Sequence, residues 1–337
     1  MRSSMVMLLC STVACSSDTT AGDAGIVADA ASKADAPGAA DGGPSAAVVR
    51  GQYLIDSVLS CGDCHTPRGT DGKPIIAKYL SGVECFVDAH PPATDGMGCL
   101  HTRNLTSDVT GLKGFTDADV KTMLTTGVRP SGKFLSPVMP YWIYHTLTDD
   151  DANAIVAYLR TVAPVAHAVP ANEPPFADIP AAAALLGDSE VPSVTSGPQQ
   201  GKSNGRYLAT LACLDCHSPD AAQGAAGGRP QDLGKPFQGN RDFKSAALGL
   251  PPSFPTDIYS ANLTPDATGI MGWTVADIVR VLHVGVDNDG KLLCPPMPFG
   301  PMGGFGKLTE ADATDIANYL LNLPAVQNAR PSECFIP

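Results

Sequence analysis

Apolar residues recur at helical spacing near the ends of two separate blocks of this chain. The last stripe of each block places three apolar side chains on one helix face: Ile155, Tyr158 and Leu159 in the first, and Ile316, Tyr319 and Leu320 in the second. The stretch before each of two cysteine pairs is also amphipathic. No stretch alternates apolar and polar residues strongly enough for a long strand, so the pattern predicts an all-α fold.

Four helix starts that follow the cysteine pairs carry a threonine with an aspartate three residues on. The threonine hydroxyl can accept from a first-turn amide, and the aspartate suits the positive end of the helix. The pairs are Thr116/Asp119, Thr148/Asp151, Thr274/Asp277 and Thr309/Asp312.

The two blocks repeat one another, with an offset that drifts from 152 to 161 residues. Since one unit recurs, two copies of one fold follow. The matching segments are Gly51–Leu54 with Gly205–Leu208, Cys61–His65 with Cys213–His217, Asn104–Thr106 with Asn262–Thr264, Val138–Tyr141 with Pro296–Phe299, and Leu147–Thr148 with Leu308–Thr309.

Composition divides the chain further. Residues 16–45 contain almost no large apolar side chains and cannot offset the entropy of folding. Residues 166–200 are rich in proline, alanine and acidic residues, which is typical of a linker. The predicted order is a signal peptide at 1–15, a disordered tether at 16–45, a domain at 46–165, a linker at 166–200 and a second domain at 201–337.

The first residues are typical of an export signal. Arg2 precedes the apolar stretch Met5–Leu9, which is too short to span a bilayer. The run Thr12–Cys15 resembles a bacterial lipoprotein cleavage site, with Cys15 as the lipidated residue. Plain secretion or an uncleaved apolar start are the alternatives. The net charge of −12 argues against nucleic acid and favours a basic docking patch on a partner.

A Cys-x-x-Cys-His run in each copy is the strongest chemical signal. Two thiols on one helical turn can add to the vinyl groups of one haem, and the adjoining histidine then lies under the iron. The runs supply Cys61, Cys64 and His65, then Cys213, Cys216 and His217. One alternative is a zinc site, which needs two more ligands of matching type nearby, and neither copy has a second Cys-x-x-Cys pair. The other is a redox dithiol, which needs a strand–helix context.

Met139 and Met297 are the candidate sixth iron ligands, since both lie in a proline-flanked loop before the last helix and match in the repeat. A methionine that only fills the core is the commoner alternative, and Met302 is the main rival in the second copy. Asn104, Thr106 and their counterparts Asn262 and Thr264 could bind haem propionates or cap turns.

Ten cysteines leave four once the haem pairs, Cys10 and Cys15 are set aside. In an oxidising compartment we predict Cys85–Cys99 and Cys294–Cys334 disulfides, which stay within each copy. Free buried thiols are the alternative.

The chain resembles dihaem c-type cytochromes, above all the cytochrome c subunits of membrane-bound alcohol, aldehyde and gluconate dehydrogenases. The likeness covers about residues 48–165 and 201–325. Its narrower segments are Cys61–Arg68, Met139–Tyr141 with Leu147–Asp149, and Asn262–Asp266 with Gly269 and Trp273. The resemblance implies two tandem cytochrome c domains and two covalently bound haem c groups. Many of these subunits carry three haems, and here the motif occurs twice.

We therefore expect a periplasmic protein, membrane-tethered through Cys15, that transfers single electrons between a dehydrogenase-type donor and a respiratory acceptor. We do not expect it to be an enzyme in its own right. A dihaem cytochrome c peroxidase-like enzyme and a haem-based sensor are the alternatives. Both need an iron with an open sixth position.

Overall fold

The computed structural model describes residues 43–90, 98–174, 176–177, 203–221, 231–299 and 304–336. The stretch from Pro44 onward forms one compact unit. The leader, Cys15, Met97 and Met302 lie outside the described residues. No helix among the described residues is both long enough and apolar enough to cross a membrane.

Helices form the frame of both copies. All four predicted threonine N-caps are confirmed, since each Thr hydroxyl accepts a hydrogen bond from the backbone amide of the Asp three residues on. The first copy contains α1 (Ala46–Tyr53), a π turn (Leu54–Val58), α2 (Cys61–His65), α3 (Asp117–Thr126), α4 (Tyr141–Tyr144) and α5 (Asp149–Thr161). The second contains α6 (Asn204–Ala212), α7 (Val275–Val284) and α8 (Glu310–Leu321).

The all-α prediction is wrong, because three two-stranded antiparallel sheets accompany the helices in the described residues. Their strands hold two to six residues each, too few for an alternating pattern to register in the sequence. They satisfy backbone groups of the long connections. The pairs are β1 (Val83–Asp88) with β2 (Cys99–Thr102), β3 (Asp242–Lys244) with β4 (Asp257–Tyr259), and β5 (Leu292–Leu293) with β6 (Phe335–Ile336).

The first and last helices of each copy pack together, α1 on α5 and α6 on α8. The approach is closest at Gly51, where an added Cβ would lie 1.9 Å from the Ala154 carbonyl oxygen. One hydrophobic core runs through both copies, from Leu54 and Ile155 to Leu208 and Ile316. The copies therefore share their interior.

The start of the predicted linker packs along the first copy. The side-chain amide of Asn104 donates to the carbonyl of Val165, just before the linker, at 2.9 Å and to that of His167 at 3.4 Å. The backbone amide of His101 donates to the Asn172 side chain at 2.8 Å. Residues 326–329 run along the second copy in the same way, since Asn262 donates to the Val326 carbonyl at 2.8 Å. The domain boundaries stay a prediction.

Two tyrosine hydroxyls form hydrogen bonds from one copy to the other. The Tyr53 hydroxyl, at the end of α1, donates to Asp312 in α8 at 2.5 Å. The Tyr207 hydroxyl, in α6, donates to Asp151 in α5 at 2.8 Å. Tyr53 and Tyr207 are equivalent in the repeat, as are the two aspartates, so the contact is reciprocal. The copies are thereby related like the halves of a two-fold dimer.

Candidate haem-attachment sites

The first motif lies on a short helix at the end of the π turn. Helix α2 holds Cys61, Cys64 and His65 on one turn. The Nδ1 atom of His65 lies 2.7 Å from the Arg103 carbonyl oxygen. A carbonyl can only accept, so Nδ1 carries the proton and Nε2 keeps a lone pair for a metal.

The second motif repeats this geometry without a regular helix. The His217 amide donates to the Cys213 carbonyl at 2.9 Å, which closes one helical turn. His217 Nδ1 lies 2.8 Å from the Ala261 carbonyl oxygen. The carbonyl of each histidine also accepts from a glycine amide, Gly82 for His65 at 2.8 Å and Gly239 for His217 at 2.7 Å. Both rings are thus oriented by main chain.

Burial sets the protonation of these groups. It lowers the pKa of His65 and of His217 to about 4, so both imidazoles are neutral at pH 7, the form that binds iron. Burial also raises the pKa of the Cys61, Cys213 and Cys216 thiols to about 12.

The cysteines separate into two classes. Cys85–Cys99 and Cys294–Cys334 form disulfides, as predicted. The four motif cysteines are free thiols, so neither motif is an oxidised dithiol. Each disulfide lies at a paired-strand site: Cys85 and Cys99 belong to β1 and β2, while Cys294 and Cys334 adjoin β5 and β6.

The two methionine loops also match. Met139 and Met297 are half-buried against the hydrophobic core. The carbonyl of each accepts from the amide two residues on, at 2.8 Å from Tyr141 and 3.0 Å from Phe299. The rings of Tyr141 and Phe299 lie over glycines that end α3 and α7. At Gly127 and Gly285, φ is 72° and 73°, and an added Cβ would lie 2.7 and 2.2 Å from those rings.

Two other methionines and three other histidines differ in their burial. Met123 is buried in the core and Met271 is 60% exposed. His101 is buried, and its Nδ1 accepts from the Cys85 amide at 3.0 Å. His90 and His145 are exposed.

The recurring Asn-x-Thr segments form the hydrogen bonds of a capped turn, which was the second of their two predicted roles. The Asn104 side-chain oxygen accepts from the amide and the hydroxyl of Thr106, at 2.9 and 2.8 Å. Asn262 and Thr264 repeat both distances. These side chains clamp residues 165 and 326 against their copies.

Sequence reasoning missed the role of Tyr53 and Tyr207. Both stand in the repeated Gly-x-Tyr-Leu segment, and that recurrence was the available signal. Their hydroxyl partners lie about 260 and 56 residues away, at Asp312 and Asp151, so only the tertiary structure pairs them.

The donor sets fit covalent haem c. Each copy offers two free thiols on one helical turn and a neutral imidazole with Nε2 available, which is what haem attachment and proximal ligation need. A structural zinc site would need deprotonated thiolates and two further ligands, whereas burial raises the pKa of these thiols.

Comparison with known proteins points the same way. No family model matches the chain. It is 26% identical over 287 residues to the fructose dehydrogenase cytochrome subunit of Gluconobacter japonicus, covering 81% of this chain and 48% of that protein. It is 28% identical over 292 residues to the gluconate 2-dehydrogenase cytochrome c subunit of Pantoea cypripedii, covering 83% and 60%.

A third relative matches a shorter part of the chain. The diheme cytochrome c-type protein of Cereibacter sphaeroides is 29% identical over 116 residues, 34% of each chain. The chain spans about half the length of the dehydrogenase subunits it matches. Over most of its own length, the chain is similar to the cytochrome c subunits of fructose, gluconate and alcohol dehydrogenases, which supports covalently bound haem c and an electron-transfer role.

Proposed function

We propose that this protein is a periplasmic dihaem cytochrome c that transfers single electrons between a dehydrogenase-type donor and a respiratory acceptor. The observation that carries the proposal is the twofold occurrence of one donor set. In both copies the histidine Nδ1 is held by a backbone carbonyl, within 2.7 and 2.8 Å, beside two free thiols.

The proposed roles follow the repeat. Cys61 and Cys64 hold one haem, with His65 and Met139 as iron ligands. Cys213, Cys216, His217 and Met297 do the same for the other. Haem c supplies an iron that changes oxidation state by one electron, and a Met ligand favours the reduced form. The protein orients the imidazoles, excludes water from them and stiffens the methionine loops.

Export is part of the proposal. The two disulfides favour an oxidising compartment, and covalent haem attachment fits the same location. We propose a lipid anchor at Cys15, on the strength of the leader motif alone. The spread-out charge of −12 favours a dehydrogenase subunit with a basic docking face as the partner.

Visible spectroscopy of the purified holoprotein tests the function. We expect two covalent haems per chain, both low-spin, and no change in the reduced spectrum on adding carbon monoxide, because protein ligands fill both irons. A matched dehydrogenase should then reduce both haems. Carbon monoxide binding at either iron with rapid peroxide turnover would instead support the peroxidase-like alternative.

A cysteine variant supplies the control for haem number. Cys61→Ala/Cys64→Ala should retain one covalent haem, whereas Cys85→Ser/Cys99→Ser should retain two. Equal haem content in both variants would contradict the assignment of the first motif.

A further inference from the structure

A short hairpin precedes each methionine loop, at residues 127–135 in the first copy and 285–293 in the second. Matching residues of the two hairpins differ by 158 in number, and their backbone hydrogen bonds are the same. These bonds run from Arg129 to Lys133 and from Leu135 to Gly127 at 2.8 and 2.9 Å, and from Asp287 to Lys291 and from Leu293 to Gly285 at 3.0 and 2.8 Å. The hairpins can therefore be compared residue by residue.

The outer edge of the second hairpin is covered by the C-terminal end of the chain. Strand β5 of the hairpin pairs with β6, through Leu292 to Ile336 and Leu293 to Phe335. The Cys294–Cys334 disulfide ties the two segments together. The Lys291 Nζ atom lies 4.9 Å from the centroid of the Phe335 ring, within the range of a cation–π contact. Strand β6 is thus added to the hairpin as an outer strand.

The matching edge of the first hairpin is open. Phe134, the counterpart of Leu292, pairs with Val128 inside the hairpin. Neighbouring residues of an antiparallel strand point their amide and carbonyl to opposite sides. Since Lys133 and Leu135 bond inward, the groups of Phe134 point outward, and neither forms a backbone hydrogen bond within the part of the chain that the structure describes. Such an edge is a template for another strand.

The two hairpins also differ in charge. Residues 127–138 contain Arg129 and Lys133 and no acidic residue, which gives a net charge of +2. Residues 285–296 contain Asp287, Asp289 and Lys291, which gives −1. Lys133 is exposed, and the Val138 side chain is 38% exposed. In a chain of net charge −12, the open edge is therefore locally basic and partly apolar.

We propose that the open edge at Phe134 and Leu135 is a docking site for an extended segment of a partner protein, which is added to the first hairpin as β6 is added to the second. The segment that fits is acidic and places an aromatic side chain against Lys133, as Phe335 lies against Lys291. Main-chain hydrogen bonds provide the affinity, and the side chains provide the selectivity. Leu135 lies four residues before Met139, so a docked partner adjoins the first methionine loop.

The repeat supplies a specific test, because Ser136 is the counterpart of Cys294 and both are 6% exposed. The probe is a peptide with the sequence of residues 330–337, supplied as the mixed disulfide of its cysteine with glutathione. If the peptide docks as β6 does, the thiol of Ser136→Cys attacks the peptide sulfur, a protein–peptide disulfide forms, and glutathione leaves as its thiolate. Mass spectrometry of the holoprotein measures the captured fraction.

We expect Ser136→Cys to capture this peptide several-fold more than a peptide with Phe335→Ser/Ile336→Ser. The control is Ser131→Cys, at the exposed tip of the same hairpin, which should not distinguish the two peptides. Equal capture of both peptides by Ser136→Cys, or capture of neither, overturns the proposal.

The charge of the edge is tested in the same assay. Adding Lys133→Glu to Ser136→Cys should lower the capture of the first peptide several-fold. Lys113→Glu makes the same change in net charge at an exposed position outside the hairpin and should leave the capture unchanged. Equal effects of the two variants would contradict a role for Lys133.

Amide hydrogen exchange of the wild-type holoprotein tests whether the edge is free. We expect the Phe134 amide to exchange several-fold faster than the Leu292 amide, which β6 covers. Equal protection of both amides in a monomer overturns the proposal, and equal protection in a sedimenting dimer assigns the edge to a second copy of this chain instead. Neither assay depends on the iron ligands, so failure of this inference leaves the proposed function to its own spectroscopic test.

Discussion

Tyr207 and Asp151 join the two copies through a hydrogen bond of 2.8 Å. The same hydroxyl oxygen accepts from the Thr148 amide at 3.3 Å, so Tyr207 also serves the N-terminus of α5. Tyr53 repeats both contacts at α8, with Asp312 and the Thr309 amide. Each copy therefore completes the start of the other copy's last helix. This explains why the structure has one continuous core and one compact unit from Pro44 onward.

Removing the Tyr207 hydroxyl tests this exchange. Tyr207→Phe removes one donor from Asp151, which keeps its hydrogen bonds from Arg50. We expect the loss to lower the free energy of unfolding by about 1.5–3 kcal/mol, as for a hydrogen bond to a charged group. Tyr53→Phe should act in the same direction. Urea unfolding of the holoprotein measures the change.

The control for the tyrosine variants is Tyr259→Phe. Tyr259 lies on β4, whose strand partner β3 belongs to the same copy, and its hydroxyl loss should leave the urea midpoint unchanged. Equal midpoints for Tyr207→Phe and Tyr259→Phe would contradict the exchange.

The free energy of unfolding should depend on the protonation state of Asp151 at low pH. Burial raises the pKa of its carboxyl, but hydrogen bonds from Arg50 and Tyr207 outweigh burial, and the net pKa is lowered. A lowered folded pKa stabilises above the unfolded value, about 3.9, and that stabilisation is lost as the pH falls through the folded value. The stability difference between wild type and Asp151→Asn should therefore be present at pH 7 and shrink below about pH 4.

Urea midpoints measured from pH 7 downward check the Asp151 prediction. The exposed neighbour Asp150 provides the control, because Asp150→Asn removes a carboxylate from the same helix turn at an exposed position. The prediction would be contradicted if the difference in urea midpoint between wild type and Asp151→Asn stayed constant as the pH falls. That result would mean that the charge of the carboxylate does not contribute to stability.

Met297→Ala should change one haem only. If Met297 is the sixth ligand, as proposed, loss of its thioether would remove the ligand that favours reduced iron. We then expect that haem's potential to fall on the order of 0.1 V within the roughly 0.8 V span that axial ligands set. Carbon monoxide should then bind one reduced iron per chain. Met139→Ala should do the same for the other haem.

Spectroelectrochemical titration measures both potentials, and Met271→Ala is the matched control because Met271 is 60% exposed. Two unaltered potentials in Met297→Ala would transfer the ligand role to another group, with Met302 the first to test.

The two disulfides should contribute different amounts to the free energy of unfolding. Cys85–Cys99 spans 14 residues and Cys294–Cys334 spans 40. Chain entropy then predicts a loss of about 3 kcal/mol for Cys85→Ser/Cys99→Ser and about 4 kcal/mol for Cys294→Ser/Cys334→Ser. Guanidinium unfolding of the two double variants under identical conditions ranks them. The reverse order would mean that strand pairing at β1–β2 contributes more than loop closure.

Local patterns in the chain were sufficient for the helices and the two motifs. A threonine followed three residues later by an aspartate can cap a helix through hydrogen bonds within one turn. The caps at Thr116, Thr148, Thr274 and Thr309 could therefore be assigned without knowledge of the fold. The disulfide pairing was predicted by counting the remaining cysteines and by keeping each bridge within one copy, and both bridges are present. The short strands could not be found, because ladders of two to six residues depend on a partner brought close by the tertiary fold.

The repeat, the residues of each Cys-x-x-Cys-His run and the predominance of helix can be read from the chain alone, because they depend on residues within one turn or one stripe. How the copies meet could be seen only in the folded protein. The pairings of Tyr53 with Asp312 and of Tyr207 with Asp151 depend on packing between segments far apart in the chain. Apolar burial is non-directional, so an apolar pattern shows that a face is buried and cannot show against which partner.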